Sequence, residues 1–123
     1  MGEFSFPKSE RLSKRNSIQE LFNRGSSFYL YPFKVLILKN DEFANCHQVL
    51  FSVSKRNFKK AVDRNLIKRR MREAYRLNKV QLPESPKLQM AYIYTPKEIL
   101  DFHTIQEKLK ESIKRLHQYA EKS

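Results

Sequence analysis

Between residues 55 and 76 the sequence places Lys55, Arg56, Lys59, Lys60, Arg64, Lys68, Arg69, Arg70, Arg72 and Arg76 against only Asp63 and Glu73. Ten cations less two anions leave +8 of the chain's formal +12 in this one segment. Ammonium and guanidinium groups at this density hold polyanions, the guanidinium through a planar fork that meets two phosphate oxygens at once. An ordinary charge run is a solvated helix face of mixed sign. Here the signs are not mixed, neighbouring like charges repel, and Lys59 with Lys60 oppose the dipole of a helix beginning beside them. Residues that break local rules without internal compensation point to a partner, and a phosphate backbone would supply the counter-charge.

The remaining reactive side chains form no catalytic constellation. His47, His103 and His117 have no metal-ligand or acid–base spacing and read as surface or packing histidines, and no clustered carboxylates suggest a two-metal site. Asp63 and Glu73 sit among cations and read as paired surface carboxylates. Cys46 is the only cysteine, its one nearby base being the adjacent His47, and reads as an ordinary loop or strand residue. Gly25 is the only glycine beyond Gly2, so there is no glycine-rich phosphate loop. The polypeptide is expected to supply no catalytic group and to hold no metal or cofactor alone.

A length of 123 residues with 40% apolar content suits one domain, residues 1–123, with 1–12 a candidate mobile N-terminal segment. The net charge favours a polyanionic partner. An anionic membrane is the other candidate, but there is no amphipathic anchor, lipidation signal or apolar span of roughly 18 residues. No charged-then-apolar order opens the chain, and the cytoplasm is the expected compartment.

These residues need elements to position them. Ser17, Ile18, Gln19 and Glu20 have capping-box spacing, and Ile18, Leu21 and Phe22 give the helix that follows an apolar stripe. It should end near Arg24, with Gly25 terminating it in a left-handed conformation. A short strand is expected around Phe28 and Tyr29, and longer ones over residues 33–38, 48–54 and 89–94. In the third of the four, Val49, Phe51 and Val53 alternate with Leu50, Ser52 and Ser54, giving a core face and a partly polar face open to a ligand. Residues 59–76 predict the central helix, with Ile67, Met71, Ala74 and Tyr75 on a packing arc and Asn65, Lys68, Arg69, Arg72 and Arg76 on an outward arc. Leu66 lies away from the packing arc. Pro83 and Pro86 mark a loop, and a second capping-box spacing at Thr104 to Glu107 opens a closing helix built on Ile105, Leu109, Ile113 and Leu116.

Within the basic segment, Ala61-Val62, Arg64-Asn65, Ile67-Lys68-Arg69 and Arg72-Glu73 closely resemble the signature of the bacterial ribonuclease P protein. The resemblance extends more weakly through Arg24-Gly25, through Phe51 to Lys55 and into the final helix. It implies an α+β domain in the order α-β-β-β-α-β-α, with a four-stranded sheet and a left-handed βαβ crossover. It also implies an endoribonuclease in which a catalytic RNA cuts precursor tRNA using Mg²⁺ bound mainly by that RNA. The protein grips the RNA subunit and the single-stranded 5′ leader; no DNA or membrane partner is expected.

On this resemblance Arg64, Asn65, Lys68, Arg69 and Arg72 contact the RNA subunit, Lys59, Lys60 and Arg76 add phosphate attraction, and Lys55 and Arg56 extend the surface. The family's motif usually has a second arginine where Leu66 stands. The leader cleft lies between the first helix and the sheet: Phe22 matches an aromatic stacking position, Ile18 replaces another aromatic, and Lys34, Leu36 and Ser52 complete the face by strand alternation. Core burial is the alternative for Phe22. Alternative functions are a ribosomal or other structural-RNA scaffold protein, a protein nuclease, and a basic protein–protein module. The absent acid–base cluster opposes the nuclease, and the match from Arg64 to Glu73 opposes the module.

Overall fold

Strand alternation divides the apolar residues of this chain between the two sides of one sheet. The computed structural model describes residues 6–40 and 44–122. Its elements are α1 (Arg15–Arg24), β1 (Ser26–Leu30), β2 (Phe33–Lys39), β3 (Gln48–Val53), α2 (Ala61–Asn78), β4 (Leu88–Tyr94) and α3 (Phe102–Lys122). The sheet order is β1-β2-β4-β3, antiparallel except for the β3–β4 pair, which is parallel and joined by the crossover through α2. This is the α+β order expected from the sequence.

One sheet face carries Phe33, Val35 and Ile37 from β2, Val49, Phe51 and Val53 from β3, and Leu88, Met90, Tyr92 and Tyr94 from β4. Against it pack Ile67, Met71, Ala74 and Tyr75 of α2 and Ile105, Leu109, Ile113 and Leu116 of α3, all buried. Each such aliphatic side chain contributes roughly 1.5–3 kcal/mol by leaving water. Two of the buried tyrosines hold partners for their polar ends: Tyr92 OH shares a 2.7 Å bond with Ser112 Oγ, and Tyr94 OH donates to the Glu98 carbonyl at 2.6 Å. Tyr94 OH also accepts from the Leu100 N–H at 3.0 Å, tying the β4–α3 loop to the sheet.

The helix ends differ from the capping boxes expected. α1 begins at Arg15 behind Lys14, with no side-chain cap, so Ser17 lies inside its first turn. For α3, Asp101 Oδ1 accepts from the Thr104 N–H at 2.8 Å, so the cap is three residues upstream of Glu107's pattern partner, Thr104. Gly25 is extended, at φ −70°, instead of left-handed. It is needed for close approach: a Cβ there would sit 2.4 Å from the Leu21 carbonyl oxygen and 3.0 Å from that of Ile37.

Of the N-terminal segment 1–12, residues 1–5 lie outside the described residues. Phe6 meets the rings of Phe51 and Tyr75 edge-on, with centroids 6.3 and 5.6 Å away. Leu12 is buried and its N–H donates to the Val49 carbonyl at 3.0 Å, while Lys79 Nζ reaches Glu10 Oε1 at 2.8 Å. The 6–12 stretch is thereby laid along β3 and the end of α2.

His47 also belongs to the fold. Its Nε2 lies 2.7 Å from the Pro83 carbonyl and its Nδ1 accepts from the Leu88 N–H at 2.9 Å, so the ring is neutral with the proton on Nε2. Burial lowers its pKa, Lys87 adding in the same direction while the Pro83 bond and Glu10 oppose it. Below the unfolded value of about 6.5, the unfolded chain takes up a proton that the folded chain resists. This contribution to stability is therefore fully present above that value and is lost as pH falls through the lower, folded value. Melting temperatures should drop between about pH 7 and pH 5, and His47→Gln should flatten that drop; an unchanged profile would remove His47 from the titration.

Candidate nucleic-acid interface

The turn that leads into α2 and the side of α2 turned away from the sheet carry most of the cations of residues 55–76. Lys55, Arg56, Lys59, Lys60, Asn65, Arg69 and Arg72 are exposed, and Arg64, Lys68 and Arg76 are half-buried. The chain enters α2 through a tied turn: Arg56 N–H donates to Ser54 Oγ at 3.0 Å, and Phe58 N–H donates to the Ser54 carbonyl at 3.1 Å. Arg64 Nη1 donates to the carbonyls of Phe58 and Lys59 at 2.7 and 2.9 Å, so this guanidinium braces the loop that presents Lys59 and Lys60. α2 begins at Ala61 behind Lys60, with no side-chain cap, leaving first-turn N–H groups beside two lysines, an arrangement that favours an anion. Arg76 pairs with Glu73 one turn back. Arg70 turns the other way and donates to the Leu100 carbonyl at 2.6 Å, joining α2 to the β4–α3 loop.

The second candidate surface is the opposite sheet face. There α1 rests on a small core of Leu12, Leu21, Leu36 and Ala91, with Ile18, Leu38, Leu50 and Ile93 around it. Leu36 is only 6% exposed, so it floors the packing beneath α1 and does not open onto a cleft. Ile18 is likewise a packing residue. Phe22 is 48% exposed, which overturns core burial for its ring.

At 100° per residue, Ser17 and Glu20 lie on one flank of Leu21, and Ile18 and Phe22 lie on the other. Ser17 and Glu20 overhang the cross-sheet row of Leu38, Gln89 and Gln48. Phe22 therefore flanks the opposite row, in which Tyr29, Lys34, Ile93 and Ser52 stand side by side in register across all four strands. Sequence reasoning missed Tyr29, which is 55% exposed on this row. An aromatic directly across a hairpin from Lys34 was the signal, but it needed the β1–β2 register to be read.

Residues 6–117 match the Ribonuclease P protein-family model. The chain belongs to the ribonuclease P protein family. The ribonuclease P protein component of Porphyromonas gingivalis is 36% identical over 119 residues, covering 92% of this chain and 87% of that protein. Among solved structures, the ribonuclease P protein of Thermotoga maritima superposes with a TM-score of 0.74 at 32% identity, over 86% of this chain and 96% of that one. That of Staphylococcus aureus gives 0.74 at 27% identity, over 87% and 94%.

In this ribonuclease P protein the two candidate surfaces lie on opposite sides of one sheet. Leu66, which lies off the packing arc, is half-buried, and it lines one hollow together with Phe6 of the N-terminal segment. Among the described residues no group of three or more His, Cys, Asp or Glu could hold a metal ion. His117 Nε2 lies 2.5 Å from the Gln81 carbonyl, and Cys46 Sγ contacts the Ser9 carbonyl at 3.6 Å. No helix among the described residues is long and apolar enough to cross a membrane.

Proposed function

We propose that this chain, the protein subunit of a tRNA-processing ribonucleoprotein, grips its RNA subunit with α2 and the 5′ leader of precursor tRNA with the open side of its sheet. One observation carries this reading: an exposed aromatic, Phe22, flanks a row of Tyr29, Lys34, Ile93 and Ser52 whose β3 strand runs directly into Lys55, Arg56 and the basic helix. Unpaired bases stack on aromatic rings and their phosphates follow lysines, while arginines on a helix face hold the backbone of a folded RNA. Both surfaces thus serve one continuous RNA-bound assembly.

The chemistry falls to the RNA subunit, and Mg²⁺ bound by that RNA would assist hydrolysis of the phosphodiester bond. On this reading the protein's own side chains bind and orient the RNAs. Mixing the chain with bacterial ribonuclease P RNA and precursor tRNA at low Mg²⁺ tests the reading. Stimulated 5′ cleavage is expected, and none from the protein alone; a structural-RNA scaffold protein would bind without stimulating.

The leader assignment has its own test. Phe22→Ala should weaken holoenzyme affinity for leader-bearing precursor by about 1–3 kcal/mol, the scale of one base–aromatic stack, while leaving affinity for mature tRNA unchanged. Because the ring is about half exposed, the thermal melt should stay near that of the wild type. Equal weakening of both tRNAs would sink the assignment.

A further inference from the structure

Along one stripe of α2, Val62 and Leu66 stand a turn apart and are followed by Arg69, Glu73 and Arg76. Phe6 approaches this stripe from the N-terminal segment, and between them, with Asn65 and Arg72, lies a hollow of about 560 Å³. That is within the size range of roughly 300–1,000 Å³ typical of small-ligand sites. Its apolar part is left in water: Val62 is 70% exposed, in the middle of the most cationic surface of the protein. The aromatic wall is held in place, since Phe6 is fixed edge-on by Phe51 and Tyr75 and the Arg11 guanidinium carbon lies 5.3 Å from its centroid.

An apolar floor with Arg69 and Arg72 at its rim, beside the Arg76–Glu73 pair, suits few ligands. A bare phosphate gains nothing from Val62 and Leu66, and an apolar helix would have to desolvate the Arg69 and Arg72 guanidinium groups without supplying a counter-charge. A nucleotide meets both demands, having a planar apolar base and an anionic phosphodiester on either side of it. We propose that this hollow receives one unstacked nucleobase of the RNA held by α2, the base lying against Leu66, Val62 and Phe6 with its flanking phosphates on the arginines. The Asn65 amide, at the hollow's edge, offers both a donor and an acceptor to the base edge. Leu66 stands where the family's motif usually has arginine, so in this chain a salt-independent contact replaces a phosphate contact.

The inference rests on the reading that α2 binds the RNA subunit, and the test separates the two. With bacterial ribonuclease P RNA as the probe, Leu66→Ser and Val62→Ser should each weaken binding about 5- to 30-fold. The slope of log Kd against log salt should be unchanged, because no charge is removed. Chemical modification of unpaired base edges should show a nucleotide protected by the wild-type chain that Leu66→Ser leaves reactive, and Leu66→Met should retain both affinity and protection. Val62 is mostly exposed, so Val62→Ser decides the matter if Leu66→Ser lowers the melting temperature. Binding of the serine variants within about twofold of wild type, or weakening with no nucleotide protected, overturns the base site. Failure of the wild-type chain to bind the RNA would instead overturn the RNA-grip reading.

Discussion

Raising salt from about 50 to about 200 mM is expected to weaken binding of the RNA subunit by roughly 10³- to 10⁴-fold, the consequence of releasing counterions from roughly five to eight phosphates. The cations available for this are those that the structure leaves outward: Lys55, Arg56, Lys59, Lys60, Arg69 and Arg72 are exposed together along one side. Removing one should be legible in both intercept and slope. Arg69→Ala should cost about 1–3 kcal/mol, the scale of a hydrogen bond to a charged group, and reduce the log–log slope by about one, with the fold unchanged. Arg70→Ala, one residue along, should act through stability instead, because its guanidinium is bonded to the Leu100 carbonyl. Filter-binding titrations at several salt concentrations, beside circular dichroism melts, measure all of this. A nearly flat salt dependence would rule out the phosphate clamp.

The largest stability effect on the leader side should come from Leu21→Ala. Leu21 is the one fully buried residue of α1 and packs with Leu12, Leu36 and Ala91. Truncating a buried leucine costs about 2–5 kcal/mol through lost transfer energy and the cavity left behind. The loss here falls on the docking of a single helix, since the main core lies on the other side of the sheet. At temperatures where the domain stays folded, Leu21→Ala should loosen α1 and weaken precursor binding through Phe22, while binding of the RNA subunit through α2 persists. Hydrogen exchange should rise in α1 before α2. Equal loss of protection in both helices would show that α1 is not a separately docked unit.

Much of this architecture was legible because it follows from periodicity. Ile67, Met71, Ala74 and Tyr75 fall on one helical arc and are buried; Val49, Phe51 and Val53 alternate with Leu50 and Ser52 and point into the core. What was not legible depends on encounters between distant segments. Leu66 shares a hollow with Phe6, which arrives from 60 residues away, and Leu36 is closed off because α1 folds back over it. Arg64 and Arg70 look alike in sequence as helix cations, yet their backbone carbonyl partners lie in the preceding loop and in the β4–α3 loop. The glycine after α1 was foreseen as a stop, but the reason is crowding by the Leu21 and Ile37 carbonyls, which no local pattern announces.

The path from Ser52 to Lys55 has a mechanical meaning. Three residues of nearly extended chain span at most about 10 Å, and Ser54 anchors the far end through its hydroxyl and its carbonyl. On the proposed assignments the protein would act as a ruler between two nucleic acids, with the leader position and the RNA-subunit position as graduations on the same strand, set by covalent geometry. On that assignment an RNA subunit docked on α2 would meet a leader already offset by a constant length, whatever the sequence of that leader. Cleavage at one phosphate, in many different precursors, then requires the protein to keep a distance and not to read a base.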